Sequence, residues 1–167
     1  REPGGTDLGA RIRELLLGND IDSMHSDTEL LLMFADRNEH IQTKVIPALE
    51  SGHWVLSDRF TDSSYAYQGG GRGLDVKRIA ELEKWVLQGF VPDLTFLLDV
   101  DIELGMRRIK SRGMKDRIEQ ETMDFFARVR DSYIKRSQMF PDRIKLIDAT
   151  KSIENTSQQI KSILLDL

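Results

Sequence analysis

Short apolar runs alternate with amphipathic helical stretches along this chain, and that alternation restricts the folds open to it. His53–Ser57, Leu94–Val100 and Ile144–Ile147 read as short strands, the first carrying Trp54, Val55 and Leu56. Helical spacing marks Asp7–Leu17, where Leu8, Ile12, Leu15 and Leu16 recur, and a long stretch from Asp27 or Thr28 to about Glu50. Further helices are expected at Thr61–Tyr67, Asp75–Leu87, Asp101–Arg112, Thr122–Met139 and Ser152–Leu165. A glycine-rich loop, Gly69–Gly73, and a charged loop, Lys115–Gln120, lie between them. Strands separated by helices of this length imply βαβ crossovers and a parallel sheet. Ligands of such open sheets bind beyond the carboxyl ends of the strands. Here those ends are Asp58-Arg59, Asp99 to Asp101, and Asp148 to Thr150.

The 167 residues suit one α/β domain, with 40% hydrophobic and 31% charged residues. The net charge of -4 argues against a general nucleic-acid binder and makes local cation clusters the informative feature. The absence of cysteine excludes disulfides, thiolate metal sites and a cysteine nucleophile. No apolar run approaches the roughly 20 residues that span a bilayer. A cytoplasmic protein is expected.

Several constellations can carry chemistry. Asp58 can hold Mg²⁺ through water and Arg59 can fork onto a phosphate; a local ion pair or helix cap is the alternative. Arg37 interrupts the apolar face of Phe34 and Ile41, so it must snorkel, pair with a carboxylate or meet a ligand; a planar base would suit the pair. Residues 107–117 hold Arg107, Arg108, Lys110, Arg112, Lys115 and Arg117 against the single acid Asp116. Such a loop can close over a nucleotide, or it can be a solvated helix end. Gln68-Gly69-Gly70-Gly71-Arg72-Gly73 is no Walker loop, because no Gly-Lys-Ser/Thr follows, and it reads as a flexible turn. His25, His40 and His53 lack metal-ligand spacing and are expected at the surface. Trp54, Trp85 and the methionines read as packing.

Taken in order, the segments resemble bacterial thymidylate kinases. Arg1-Glu2-Pro3-Gly4-Gly5-Thr6 looks like the loop after that family's second strand, and Met33-Phe34-Ala35-Asp36-Arg37 resembles its thymine-binding helix. Asp58-Arg59-Phe60 matches its Asp-Arg-X motif. Ser63 to Gly69 resembles its nucleoside-binding segment, and Asp116-Arg117-Ile118-Glu119 matches its lid, placed at about 112–120. The resemblance implies a P-loop NTPase-type parallel sheet flanked by helices, as in nucleoside monophosphate kinases. It implies transfer of the ATP γ-phosphoryl group to dTMP, giving dTDP, with Mg²⁺ and a homodimer packed through parts of Asp27–Glu50 and Asp75–Leu87.

The resemblance also implies roles. Arg59 would hold the dTMP phosphate, with Arg13 close by and Glu2 in the acceptor pocket. Phe34 would stack on thymine, Arg37 would donate to a thymine carbonyl, and Ser64 and Gln68 would line the base edge. Tyr67 would crowd the sugar's 2′ position. Asp58 would support Mg²⁺ through water. Arg117, with Arg112, would reach the ATP phosphates as a built-in arginine finger. Asp148, Thr150 and Lys151 would lie near adenine. The family's first strand and P-loop are expected to precede Arg1, and the chain alone is expected to be inactive without them. The alternatives are a deoxynucleoside kinase, which would need a carboxylate base for a sugar hydroxyl, and a non-catalytic nucleotide-binding module.

Overall fold

The computed structural model describes residues 1–19, 21, 23–111 and 115–165. Its helices begin where the sequence supplies acceptors for their free amides. Helix α1 (Asp7–Leu17) starts under the Thr6 hydroxyl, which accepts from Gly9 N at 2.9 Å, and turns Ile12 and Leu16 inward. Helix α2 (Ser26–His40) is capped by His25 and runs on through a widened π turn, Ile41–Val45, into α3 (Ile46–Glu50). Pro47 has no amide to donate back to that widened stretch.

Helix α4 (Thr61–Ser64) passes directly into a second π segment, Tyr65–Gly71, followed by α5 (Val76–Leu87) with Asp75 as its cap. The glycine-rich stretch is therefore not a flexible turn. It is wound, and Gly69 and Gly71 are buried. Helix α7 (Met123–Met139) lies against its backbone. A Cβ on Gly71 would come within 2.5 Å of the Phe125 ring, and one on Gly70 within 2.8 Å of the Arg128 carbonyl. Arg128 Nη2 also donates to Gly71 O at 2.8 Å.

Strand β1 (Thr95–Asp99) pairs in parallel with β2 (Ile144–Asp148), from Thr95 opposite Ile144 to Asp99 opposite Asp148. Helix α6 (Ile102–Ser111) and α7 lie in the long connection that parallel pairing requires. Helix α8 (Ile153–Leu165) follows β2 and packs against it.

The expected strand at His53–Ser57 does not form. Trp54 is 93% and Leu56 95% exposed, and backbone bonds are made at the two ends of the region, from His53 N to Ala48 O at 3.0 Å and from Glu2 N to Asp58 O at 2.9 Å. A strand exists through a neighbour's hydrogen bonds, and none of the described residues lies alongside to supply the ladder. Trp54 therefore does not pack, and neither does Trp85, which is 73% exposed on the outer face of α5.

Two apolar clusters hold the helices together. Leu30, Phe34, Ile41, Tyr65, Ile79 and Leu87 join α2, the second π segment and α5. Ala66, Ile118, Phe125 and Val129 join that π segment to the segment before α7 and to α7 itself, with Leu17, Met33 and Tyr67 against them. The segment Tyr65–Gly71 thus lies between both clusters, which fixes the side chains it carries.

Candidate active site

The inward side of α2 presents a charged stripe beside its apolar one. Glu29, Asp36, Arg37 and His40 are all buried, and Glu2 from the amino-terminal loop joins them at 3% exposure. Arg37 Nε donates to Glu2 Oε2 at 2.7 Å, and His40 Nδ1 lies 2.9 Å from Glu2 Oε1. Arg37 Nη1 donates to Ser64 Oγ at 3.1 Å, with its guanidinium over Phe34 at 4.8 Å and Phe60 at 5.5 Å. Arg37 has therefore taken the paired option, and His40 is no surface histidine. An acid held this tightly needs both partners because a buried carboxylate is costly alone.

Asp36 fixes the entry loop by accepting from Gly4 N at 2.9 Å, while its Oδ2 is buried without a partner. Burial pushes its carboxyl above the ordinary range. Arg13 Nη1 donates to Pro3 O at 2.9 Å, so Arg13 reaches the same loop.

Arg59 has φ +70°, in the left-handed region that favours glycine. Strain of this kind costs on the order of 1–3 kcal/mol and gathers at functional sites. The Arg59 guanidinium lies 4.8 Å from the Tyr67 ring, and Tyr67 packs edge-on against Phe125 and Tyr133. Tyr133 donates to Ser63 Oγ at 2.6 Å. Asp58 is exposed, and among the described residues no group of three or more acids or histidines gathers that could hold a metal ion.

Glu29 is the second acidic centre, 1% exposed. Its Oε1 accepts from Gln68 Nε2 at 2.9 Å and Arg72 Nε at 3.2 Å; its Oε2 accepts from Arg117 Nη2 at 2.6 Å and Arg72 Nη2 at 3.2 Å. Burial alone would raise the Glu29 carboxyl; the bonds from Gln68, Arg72 and Arg117 outweigh it and hold the group ionised, below the ordinary range. Arg117 also donates from Nε to Leu16 O at 2.8 Å, and Arg72 reaches Glu121. In the segment expected to be the lid, Asp116 Oδ1 accepts from Glu119 N at 2.8 Å and Glu119 Oε2 from Asp116 N at 3.3 Å.

The structure thus brings Glu2, Arg37 and Ser64 together, and Gln68 with Arg117. It sets Phe34 apart. Its ring is 2% exposed and belongs to the first apolar cluster, with the Arg37 guanidinium over it. Met33, one position earlier on the helix, is the residue that packs with the Tyr67 cluster. Asp148 accepts from Thr150 N at 2.9 Å in the exposed turn after β2, beside Lys151. Asp99 is claimed by Arg130 through bonds of 2.7 Å, so that strand end is an ion pair. Arg112 lies outside the described residues. Sequence reasoning missed Glu29, Arg72 and His40. The signal was the spacing of Glu29, Met33, Asp36 and His40, which places three ionisable groups along one helix face.

The thymidylate kinase family model matches residues 1–160. The chain is 71% identical to the thymidylate kinase of Ruthia magnifica subsp. Calyptogena magnifica, covering 98% of this chain and 80% of that protein. It is 52% identical to the thymidylate kinase of Pseudomonas putida (strain GB-1), covering 98% and 78%. The crystal structure of thymidylate kinase from Ehrlichia chaffeensis superposes with a TM-score of 0.79 at 33% identity, over 99% of this chain and 78% of that one. Sheet, flanking helices and clustered cations define a phosphotransferase of the nucleoside monophosphate kinase type. The chain belongs to the thymidylate kinase family, whose members convert dTMP to dTDP.

Proposed function

We propose that this chain builds the acceptor half and the lid of a dTMP kinase, with ATP as donor and Mg²⁺ as the accompanying cation. The observation that carries the reading is Arg59. It is strained, cationic and exposed at the end of an extended segment, with Tyr67 against its guanidinium. Arg59 holds the dTMP phosphate, and Arg13 steadies the loop beside it. Phe34 stacks on the base, Arg37 and Ser64 meet it with Gln68, and Tyr67 limits space at the sugar. Arg117, with Arg112, reaches the donor phosphates. Mg²⁺ would neutralise charge on the transferring group, with Asp58 as its outer-sphere partner. Asp148, Thr150 and Lys151 flank the adenine.

The acceptor is a phosphate oxygen, already anionic at neutral pH, so the reaction needs no strong base. Glu2 supports this over a deoxynucleoside kinase. It is buried and bonded to both Arg37 and His40, which leaves it poorly placed to take a proton from a sugar hydroxyl. In Arg59→Gly the strain is relieved as the Tyr67 contact is lost. Stability should then change by less than about 1 kcal/mol. KM for dTMP should rise at least about tenfold, the cost of a lost charge-assisted bond. A coupled assay of the native protein with ATP, Mg²⁺ and each nucleoside monophosphate tests the reading; an unchanged KM for dTMP would refute the Arg59 assignment.

We also propose a homodimer through α2 and α5. Leu31 is 55% and Trp85 73% exposed across a groove lined by Leu30, Leu82, Asp27 and Arg78. Trp85→Glu should shift the protein from dimer to monomer in sedimentation, and a wild-type profile would exclude this face. No helix among the described residues is long and apolar enough to cross a membrane. A cytoplasmic setting fits the dTTP supply this reaction would feed.

A further inference from the structure

Glu29 is unusual in what it gathers. One buried carboxylate collects donors from the second π segment (Gln68), the turn behind it (Arg72) and the lid (Arg117). Both of its oxygens are shared. Oε1 lies between Gln68 and Arg72, and Oε2 between Arg72 and Arg117. Arg72 continues to Glu121, just past the lid, and Arg117 N donates to Leu17 O at 3.1 Å. The lid is therefore seated on the body by charge-assisted bonds that converge on one acid.

We propose that Glu29 is a positioning residue that joins recognition of the acceptor base to seating of the lid. This rests on the roles proposed above for Gln68 and Arg117. A carboxylate can only accept, so it fixes which end of the Gln68 amide points toward α2. A base that engages Gln68 strengthens that orientation, which holds the carboxylate where Arg117 and Arg72 meet it. By reciprocity, a lid seated on Glu29 favours the base-bound Gln68. Glu29 touches no reacting atom. It acts through Gln68 on one side and Arg117 on the other.

The experiment reads lid seating directly. Limited trypsin cleavage at Lys115 is followed by mass spectrometry, with and without saturating dTMP. Lys115 suits the purpose because its carbonyl accepts from Asn19 Nδ2 at 3.2 Å when the lid is seated. In the native protein dTMP should slow this cleavage about tenfold, within the usual range of coupling between sites. In Glu29→Gln the cut should be fast and dTMP should no longer slow it, although circular dichroism reports a folded protein. In Gln68→Leu, Glu29 keeps both arginines, so the cut should stay slow and be indifferent to dTMP. Native-like protection by dTMP in either variant would overturn the proposal. If Glu29→Gln does not fold, the Gln68→Leu result decides alone. Failure of the catalytic reading is separate: a fully active Arg117→Ala would sink that reading without any bearing on the cleavage ratios of the other two variants.

Discussion

Arg117→Ala should lower kcat about a thousandfold, at the modest end of what a removed arginine finger costs. KM for dTMP should change only a few-fold, since little uniform binding is lost. The expectation follows from where the residue sits. Arg117 is carried by the lid, yet its side chain is only 14% exposed, held by Leu16 O and by Glu29. It is thus turned toward the body rather than swept through solvent. A cation held that way costs little reorganisation when charge develops on a transferring phosphoryl group. The check is steady-state kinetics of native and variant protein with ATP and dTMP both varied. Equal losses in kcat and dTMP affinity would show a binding residue instead.

The largest stability effect is expected at Asp62, a residue with no role in the chemistry. Arg143 grips it bidentately, at 2.7 and 3.0 Å, and Arg136 Nε donates to it at 2.5 Å with its guanidinium 3.7 Å from the Tyr65 ring. This acid ties α4 to α7 and to the start of β2, three residues beyond Arg59. Asp62→Ala would strand two partly buried guanidiniums, which costs on the order of 3–5 kcal/mol. Urea unfolding at neutral pH should show it as a lower midpoint with an unchanged slope. Burial would raise the Asp62 carboxyl, but Arg143 and Arg136 outweigh that and hold it below the ordinary carboxylate range. Its folded value is depressed, so its contribution is present above the unfolded value and lost as pH falls through the folded one. The gap between native and variant should therefore narrow only in strong acid, below the ordinary aspartate range. A gap that closes between pH 5 and 7 would point to a different group.

Much of the fold was legible because helices announce themselves locally. Thr6, Asp75 and Thr122 each cap the helix that follows, and the apolar spacing of α1 and α5 needs no tertiary information. The strand at 53–57 was not, because a strand is a property of two segments and the sequence of one says nothing of its neighbour. The glycine run was misread for a related reason. Glycine is permissive, and here the helix laid across it, not the residue's own preference, decides that it winds. In the candidate site, motif spacing singled out Arg59, Ser64 and Gln68. Glu29 escaped notice because its partners are 39, 43 and 88 residues away in sequence.

The glycines that let α7 rest on the second π segment have a thermodynamic consequence. Tyr67 and Gln68 stand on backbone clamped from two sides, so their configurational entropy is surrendered when the chain folds rather than when a nucleotide arrives. A nucleotide meeting them, as proposed above, would lose less on docking than against a mobile loop. On the proposed roles of Tyr67 and Gln68, affinity here would be prepared in advance by residues that have no side chain to offer.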